Sequence, residues 1–233
     1  AAHMDEIMEL GKKYNLKIIE DNAESIGATY KGKLLGTFGD VSTYSFFGNK
    51  IMTTGEGGAV LTNDEGTAIK CRELRDHGMS HRRKYHHVDL GYNYRMTNMQ
   101  AAIGLAQMEK IDEILSLRRV QMEFYYKKLS NIDGISLRKY ADWCEPVHWM
   151  MTITLDDKYD RDSFLDFMND NGIDCRQMIN PVHHADHFNS QFTDDDFFNS
   201  VNISKQSVHL PSGLGLIEKQ ISNIGNTIKG FLN

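Results

Sequence analysis

The chain has 233 residues, with 26 Lys+Arg against 32 Asp+Glu and a formal net charge of -6. At roughly 100–200 residues per domain, this length holds one large domain or one and a half. Hydrophobic residues at 40% and charged residues at 25% exclude wholesale disorder, and the acidic balance argues against nucleic acid or an anionic membrane as the main partner. No apolar run approaches the roughly 18 residues of a membrane span, and no signal peptide opens the chain. Cys71, Cys144 and Cys175 form neither a CxxC pair nor a disulfide framework, so a reducing, cytoplasmic compartment is expected.

In chain order, Met4–Tyr14 reads as a helix with Met4, Ile7, Met8 and Leu10 on one side and Lys12 and Lys13 near its end. Asn15 breaks it. Leu16-Lys17-Ile18-Ile19 then reads as a short buried strand ending in Glu20-Asp21, an order typical of layered α/β domains, whose functional groups gather at strand carboxyl ends. Val41–Phe47 and Gly58–Leu61 are further strands, separated by the turn Gly55-Glu56-Gly57-Gly58. Met99, Ala102, Ile103, Ala106, Ile111, Ile114 and Leu115 predict one long amphipathic helix from Asn98 to about Leu129, N-capped by Thr97 or Asn98. Beyond Asn131-Ile132-Asp133-Gly134 a smaller α+β unit is expected: a strand over Trp149–Leu155, a helix over Arg161–Asn171 ended by Gly172, and a terminal helix over Gly215–Leu232. The domain boundary falls near residue 130.

The segment richest in chemistry is Ser45-Phe46-Phe47-Gly48-Asn49-Lys50. A lysine in a tight turn after an apolar strand is poised to lose its proton through desolvation, and Schiff-base chemistry requires the neutral amine. Asp21, at a strand end, could face a pyridinium nitrogen and keep it protonated, as an enzyme using pyridoxal phosphate (PLP) as an electron sink requires. Ser45 could hydrogen-bond a phosphate. Each residue also has a plainer reading: a surface lysine, a strand-end acid capping a helix, a serine on a pleated strand.

Ile19-Glu20-Asp21-Asn22-Ala23-Glu24, Gly39-Asp40, Ser45 to Lys50, Thr53-Thr54-Gly55-Glu56-Gly57-Gly58 and Gly91-Tyr92-Asn93-Tyr94-Arg95-Met96-Thr97-Asn98 resemble, in order and spacing, the DegT/DnrJ/EryC1/StrS sugar aminotransferases. The resemblance implies an α/β, fold-type I PLP-dependent aminotransferase. Residues 1–130 would be the C-terminal portion of the PLP-binding large domain, with a mixed sheet, and 131–233 a small C-terminal α+β domain. It implies a homodimer with shared active sites, PLP as cofactor, and glutamate and a nucleotide-linked 4-keto-6-deoxy sugar as substrates. By the same resemblance Lys50 would carry the Schiff base and act as acid/base, and Asp21 would pair with the pyridine nitrogen. Glu24 would lie near the cofactor's O3′ side, and Ser45 would bind its phosphate. Asn93 and Arg95 would reach into the neighbouring subunit's site, and His87 would lie near substrate. Relatives that remove a hydroxyl from the sugar carry histidine at the lysine position, so Lys50 favours transamination over dehydration.

Where relatives read Arg-Pro-x-x-Tyr-Pro-x-His, this chain reads Arg176-Gln177-Met178-Ile179-Asn180-Pro181-Val182-His183. Arg176 and His183 are retained as substrate-binding candidates, and Asn180 in the tyrosine position is compatible with altered recognition or a plain loop. No metal site is expected: His183 and His187 stand four apart, but Pro181 and the polar residues around it suggest a loop. Asp194-Asp195-Asp196 lacks the Gly and Glu of an EF-hand and reads as a solvated acidic turn. Relatives also place a Ser-Gly-Thr phosphate loop and a ring-stacking aromatic before the equivalent of Met4. The chain is therefore read either as part of a longer enzyme or as a truncated, non-catalytic homologue acting as a binding partner.

Overall fold

A computed structural model describes residues 1–188 and 191–233. They form two compact units, one from Ala1–Ser116 with Tyr140–Trp149, the other from Leu117–Lys139 with Met150–Asn233. The chain thus passes between units at 116/117, 139/140 and 149/150, where the sequence suggested one boundary near residue 130.

In the first unit, α1 (Met4–Tyr14) carries Asp5 and Glu6 in its first turn and Lys12 and Lys13 in its last, complementing the helix dipole. Asn15 ends it in the left-handed conformation, and the Leu16 amide closes back onto the Gly11 carbonyl. The strand expected from Leu16 begins only at Ile19, as β1 (Ile19–Asp21), because the Leu16 amide serves the helix end and the Ile18 amide is taken by Asp40. Nor is it a buried run: Leu16 and Ile19 are exposed, and Glu20 alone in β1 is buried. A hairpin follows, β2 (Thr29–Tyr30) and β3 (Lys33–Leu34), turning through Lys31 and Gly32 at φ 49° and 78°. Next come β4 (Val41–Ser45), β5 (Gly58–Thr62) and α2 (Glu65–Arg75), which Asp64 caps by accepting the Thr67 amide at 2.6 Å. Strand order β1-β4-β5, with β1 parallel and β5 antiparallel to β4, makes a mixed sheet.

The single long helix is two: α3 (Asn98–Met108), opened by a Thr97–Gln100 capping box, and α4 (Ile111–Leu129). The break at Glu109-Lys110 coincides with the five-residue gap between Ala106 and Ile111, which a 3.6-residue period does not bridge on one face. On α3, Met99, Ile103, Leu105 and Met108 are exposed, while Gly104 is buried so closely that an added Cβ would lie 2.8 Å from Thr54 Cγ2.

After β6 (Ile135–Leu137) of the second unit, β7 (Cys144–Glu145) pairs with β2 of the first. The second unit continues with β8 (Met151–Leu155), α5 (Arg161–Asp170), β9 (Arg176–Gln177), three 3-10 turns (Val182–His184, Asp186–Phe188, Asp194–Phe197), α6 (Phe198–Gln206), β10 (Ser207–Leu210) and α7 (Glu218–Leu232). Its antiparallel sheet, ordered β6-β8-β10-β9, is built on β8, whose Met151, Ile153 and Leu155 face inward in strict alternation. Tyr125, Phe164, Met168 and Ile228 fill the core with them. Gly172, at φ 73°, ends α5 as expected. Cys71, Cys144 and Cys175 are all free, and burial pushes the Cys175 thiol up to about 12. No described helix is long and apolar enough to cross a membrane.

The Asp40 carboxylate fastens β1 to β4 by accepting the Lys17 ammonium at 2.8 Å and the Ile18 amide at 3.0 Å, and these partners hold its pKa below the ordinary carboxylate value. Its stabilising contribution is complete above that ordinary value, about 3.9, and is lost as pH falls through the lower folded value. The stability gap between wild type and Asp40→Asn should stay constant above about pH 5 and shrink in acid; urea titrations across pH read it, and a gap that persists at the lowest pH contradicts the assignment.

Candidate active site

The site is laid out by the parallel pairing of β1 with β4, in the register Ile19–Val41, Glu20–Ser42 and Asp21–Thr43. Both strands end at the same edge, so the Asp21 carboxylate and the Ser45 hydroxyl emerge from neighbouring strands. What holds the register is Glu20, only 8% exposed, whose two oxygens accept the backbone amides of Gly36, Phe38 and Gly39, each at 2.7 Å. A buried carboxylate is tolerated when such donors replace its water. Asn22, also buried, continues the strand connection by donating its amide to the Thr43 carbonyl at 2.8 Å and accepting the Ser25 hydroxyl at 2.8 Å. Asp21 is exposed, and its Oδ1 accepts the Ala23 amide at 3.1 Å, which fixes the carboxylate at the strand end.

Beyond Ser45 the chain folds into a hydrogen-bonded turn. Phe46 donates to Gly57 and accepts from the Thr54 amide and the Thr53 hydroxyl, all at 2.9 Å, and the Lys50 amide closes onto Phe47 at 3.0 Å. Gln107 of α3 clasps Thr53 from both sides, accepting its amide at 3.1 Å and donating to its carbonyl at 2.6 Å. The Ser45 hydroxyl accepts the Phe47 amide at 3.3 Å.

Lys50 projects from this turn with its side chain 12% exposed. The lysine expected in a tight turn after an apolar strand is there, and its amine is paired: Nζ lies 2.9 Å from Glu24 Oε1 and 4.3 Å from the centre of the Trp149 ring. The Trp149 indole N–H donates to the Asn49 carbonyl at 2.7 Å, so one side chain covers the amine and pins the turn that carries it. Trp149 went unread in the sequence because it stands 99 positions from Lys50 and looked like the first residue of a strand. That strand starts at Met151, and His148, at φ 52°, turns the backbone just before the tryptophan. Gln107 and Glu20 were missed for the same reason: their partners are distant in sequence or are backbone groups, and neither leaves a periodic signal.

The remaining candidates sit elsewhere. Asn93 bridges to Asp76 through the backbone, Arg95 Nη1 lies 3.2 Å from Asp76 Oδ2, and His87 Nδ1 donates to the His77 carbonyl at 2.8 Å. His77 and Arg95 hold the Asp76 carboxyl below its usual range. This segment borders a cleft of ≈ 510 Å³ in which Arg72, Arg75, Lys84 and Arg95 outnumber Glu73 and Asp76. In the second unit Arg176 is exposed on β9, 3.7 Å from Asp174. The His183 side chain is only 6% exposed, with Nε2 against Asp194.

The architecture is that of fold-type I PLP sugar aminotransferases: the crystal structure of S. venezuelae DesV in complex with a ketimine intermediate matches with a TM-score of 0.88 at 29% identity, over 99% of this chain and 62% of that one. The chain belongs to the DegT/DnrJ/EryC1/StrS aminotransferase family, whose model matches residues 1–229. It is 40% identical over 224 residues to the GDP-perosamine synthase of Caulobacter vibrioides, covering 95% of this chain and 60% of the relative. Against the GDP-perosamine synthase of Vibrio cholerae it is 37% identical over 235 residues, covering 100% of this chain and 64% of the relative. The chain thus spans somewhat under two thirds of the length of these relatives.

Replacing Glu20 by Gln turns one acceptor oxygen into a donor facing backbone N–H groups. The variant should lose about 1–3 kcal/mol in urea unfolding, the cost of a buried unsatisfied donor. An unchanged midpoint would show that the 36–39 loop does not depend on this carboxylate.

Proposed function

We propose that this protein transfers an amino group from glutamate to the keto carbon of a nucleotide-linked 4-keto-6-deoxy sugar, in the manner of a GDP-perosamine synthase. The observation that carries the reading is the Lys50 amine, presented by a rigid turn between a carboxylate and an indole face. The surrounding residues fit PLP: a carboxylate at one strand end, a hydroxyl and a backbone amide at the next, and a primary amine beyond them. Bound PLP would supply an aldehyde that condenses with a primary amine and a ring that takes up the electron pair of a broken C–H bond.

In this assignment Asp21 would pair with the ring nitrogen and Ser45 would hold the phosphate. Lys50 Nζ removes and returns the proton on the reacting carbon, with Glu24 at 2.9 Å as the group that exchanges protons with it. Glutamate gives up its amine and leaves as 2-oxoglutarate, and the sugar's carbonyl oxygen leaves as water, so the two substrates react in alternation. The first unit is assigned to the PLP-binding large domain and the second to the small domain. Asn93 and Arg95 reach into the site of a second copy, which makes the working unit a homodimer with shared sites. The cationic cleft around Arg72, Arg75, Lys84 and Arg95 supports a diphosphate-bearing substrate. The family resemblance assigns further substrate contacts to His87, Arg176 and His183. The role is a cytoplasmic one, in the synthesis of sugars for cell-surface polysaccharide such as the O-antigen of lipopolysaccharide.

Single-turnover amination of GDP-, dTDP- and UDP-linked 4-keto-6-deoxy sugars discriminates among substrates. The GDP sugar should be aminated fastest. Preference for another nucleotide contradicts the GDP assignment, and equal failure of all three rejects the sugar reading.

A further inference from the structure

Two motifs of which the aminotransferase reading uses only His183 meet in the second unit. The histidine run and the acidic run are not neighbours in sequence, yet the 3-10 turn Val182–His184 and the 3-10 turn Asp194–Phe197 bring them together. His183 Nε2 lies 3.2 Å and His184 Nε2 2.7 Å from the same oxygen, Asp194 Oδ1. One ligand atom from each of the three residues lies within 4.8 Å of the others. The pair suggested by sequence, His183 and His187, is split between two separate turns.

We propose that His183, His184 and Asp194 form a binding site for a first-row divalent cation, best matched by zinc, with water in the fourth position. Two imidazole nitrogens and one carboxylate oxygen are the donor set that suits zinc with an open position. Bonds of about 2.0–2.1 Å in a tetrahedron place ligand atoms roughly 3.3 Å apart, close to the His183–Asp194 distance; the His184–Asp194 pair has to open by about half an ångström. Asp194, 51% exposed, is free to make that adjustment. His183 is fixed: its side chain is 6% exposed and its ring packs 4.8 Å from that of Phe197. His184, 37% exposed, leaves the outer side open to water.

Among the described residues one cation competes for the carboxylate. Lys205 Nζ sits 3.7 Å from Asp194 Oδ2, the oxygen that the two imidazoles do not use. It partly neutralises the carboxylate and sets a ceiling on affinity without occupying the site. A bound ion would join the two turns, and the site is independent of Lys50 and of PLP. Its occupation would draw His183 away from substrate contact, leaving that role to Arg176 in this unit.

The test is a Zn²⁺ titration of chelator-stripped, untagged protein without PLP, in competition with a chromophoric chelator, repeated with Co²⁺ to read coordination from the visible spectrum. Wild type should bind one ion per chain with a tetrahedral Co²⁺ spectrum. His184→Ala and Asp194→Asn, both at exposed positions and checked for native circular dichroism, should bind at least about tenfold more weakly, since even outer-shell losses cost that much. His187→Ala should bind like wild type, and Lys205→Gln more tightly. No binding by wild type, unchanged binding in His184→Ala and Asp194→Asn, or equal loss in His187→Ala overturns the site. The titration needs neither PLP nor substrate, so its outcomes are read apart from amino transfer.

Discussion

The carboxylate of Glu20 is the constraint on which the first unit depends. It is buried beside three backbone amides of the 36–39 loop, and this ties the end of the β1–β4 connection back to the middle of β1. A parallel pair needs a long connection, and an ordered one is costly in conformational entropy. Here the connection is fixed at three points: Glu20 on the loop, Asn22 on β4, and Asp40 on Ile18. Gly36 is part of the same device. It sits at φ 86° where an added Cβ would lie 1.9 Å from the Tyr44 hydroxyl oxygen, so only glycine satisfies both the backbone and the space. With the register set, Asp21 and Ser45 come to the same edge of the sheet.

The second constraint acts on Lys50. Its turn is not held by its own residues alone: Gln107 of α3 secures Thr53, and Trp149, from the segment that returns through β7, secures Asn49. A lysine has several rotatable bonds, and in the proposed role an amine that meets a carbon in one geometry gains from having them fixed in advance. Glu24 and Trp149 do this from two sides. The return of 140–149 to the first unit is what brings Trp149 onto this turn, which a single boundary near 130 would not provide.

Legibility in the sequence followed the range of the interaction. α1, α5, β4 and β5 were readable because their signals are local: charge at helix ends, a glycine at a left-handed cap, apolar runs bounded by turns. Asp21, Ser45 and Lys50 stood out through the distinctive spacing of their motifs, and the structure places them at the ends of β1 and β4 and in the turn that follows. The two-residue strands β2, β3, β7 and β9 were not, since two residues show no alternation. α6, rich in Ser and Asn, has weak intrinsic preference for helix and is fixed by packing of Val201 and Ser204. β1 misled because Leu16-Lys17-Ile18-Ile19 looks apolar enough for a core, yet burial there belongs to Glu20, a charged residue whose partners are backbone groups. Trp149, Gln107 and the His183–His184–Asp194 cluster each depend on contacts across long stretches of chain, which no window of sequence contains.

The central claim is that Lys50 is the amine through which this protein carries out its chemistry. Borohydride reduction of the protein with PLP, followed by peptide mass mapping, tests it most directly. The phosphopyridoxyl mass should appear on the peptide containing Lys50 and vanish in Lys50→Ala while the rest of the map is unchanged. Label on a different lysine, or the same labelling in the variant, would contradict it.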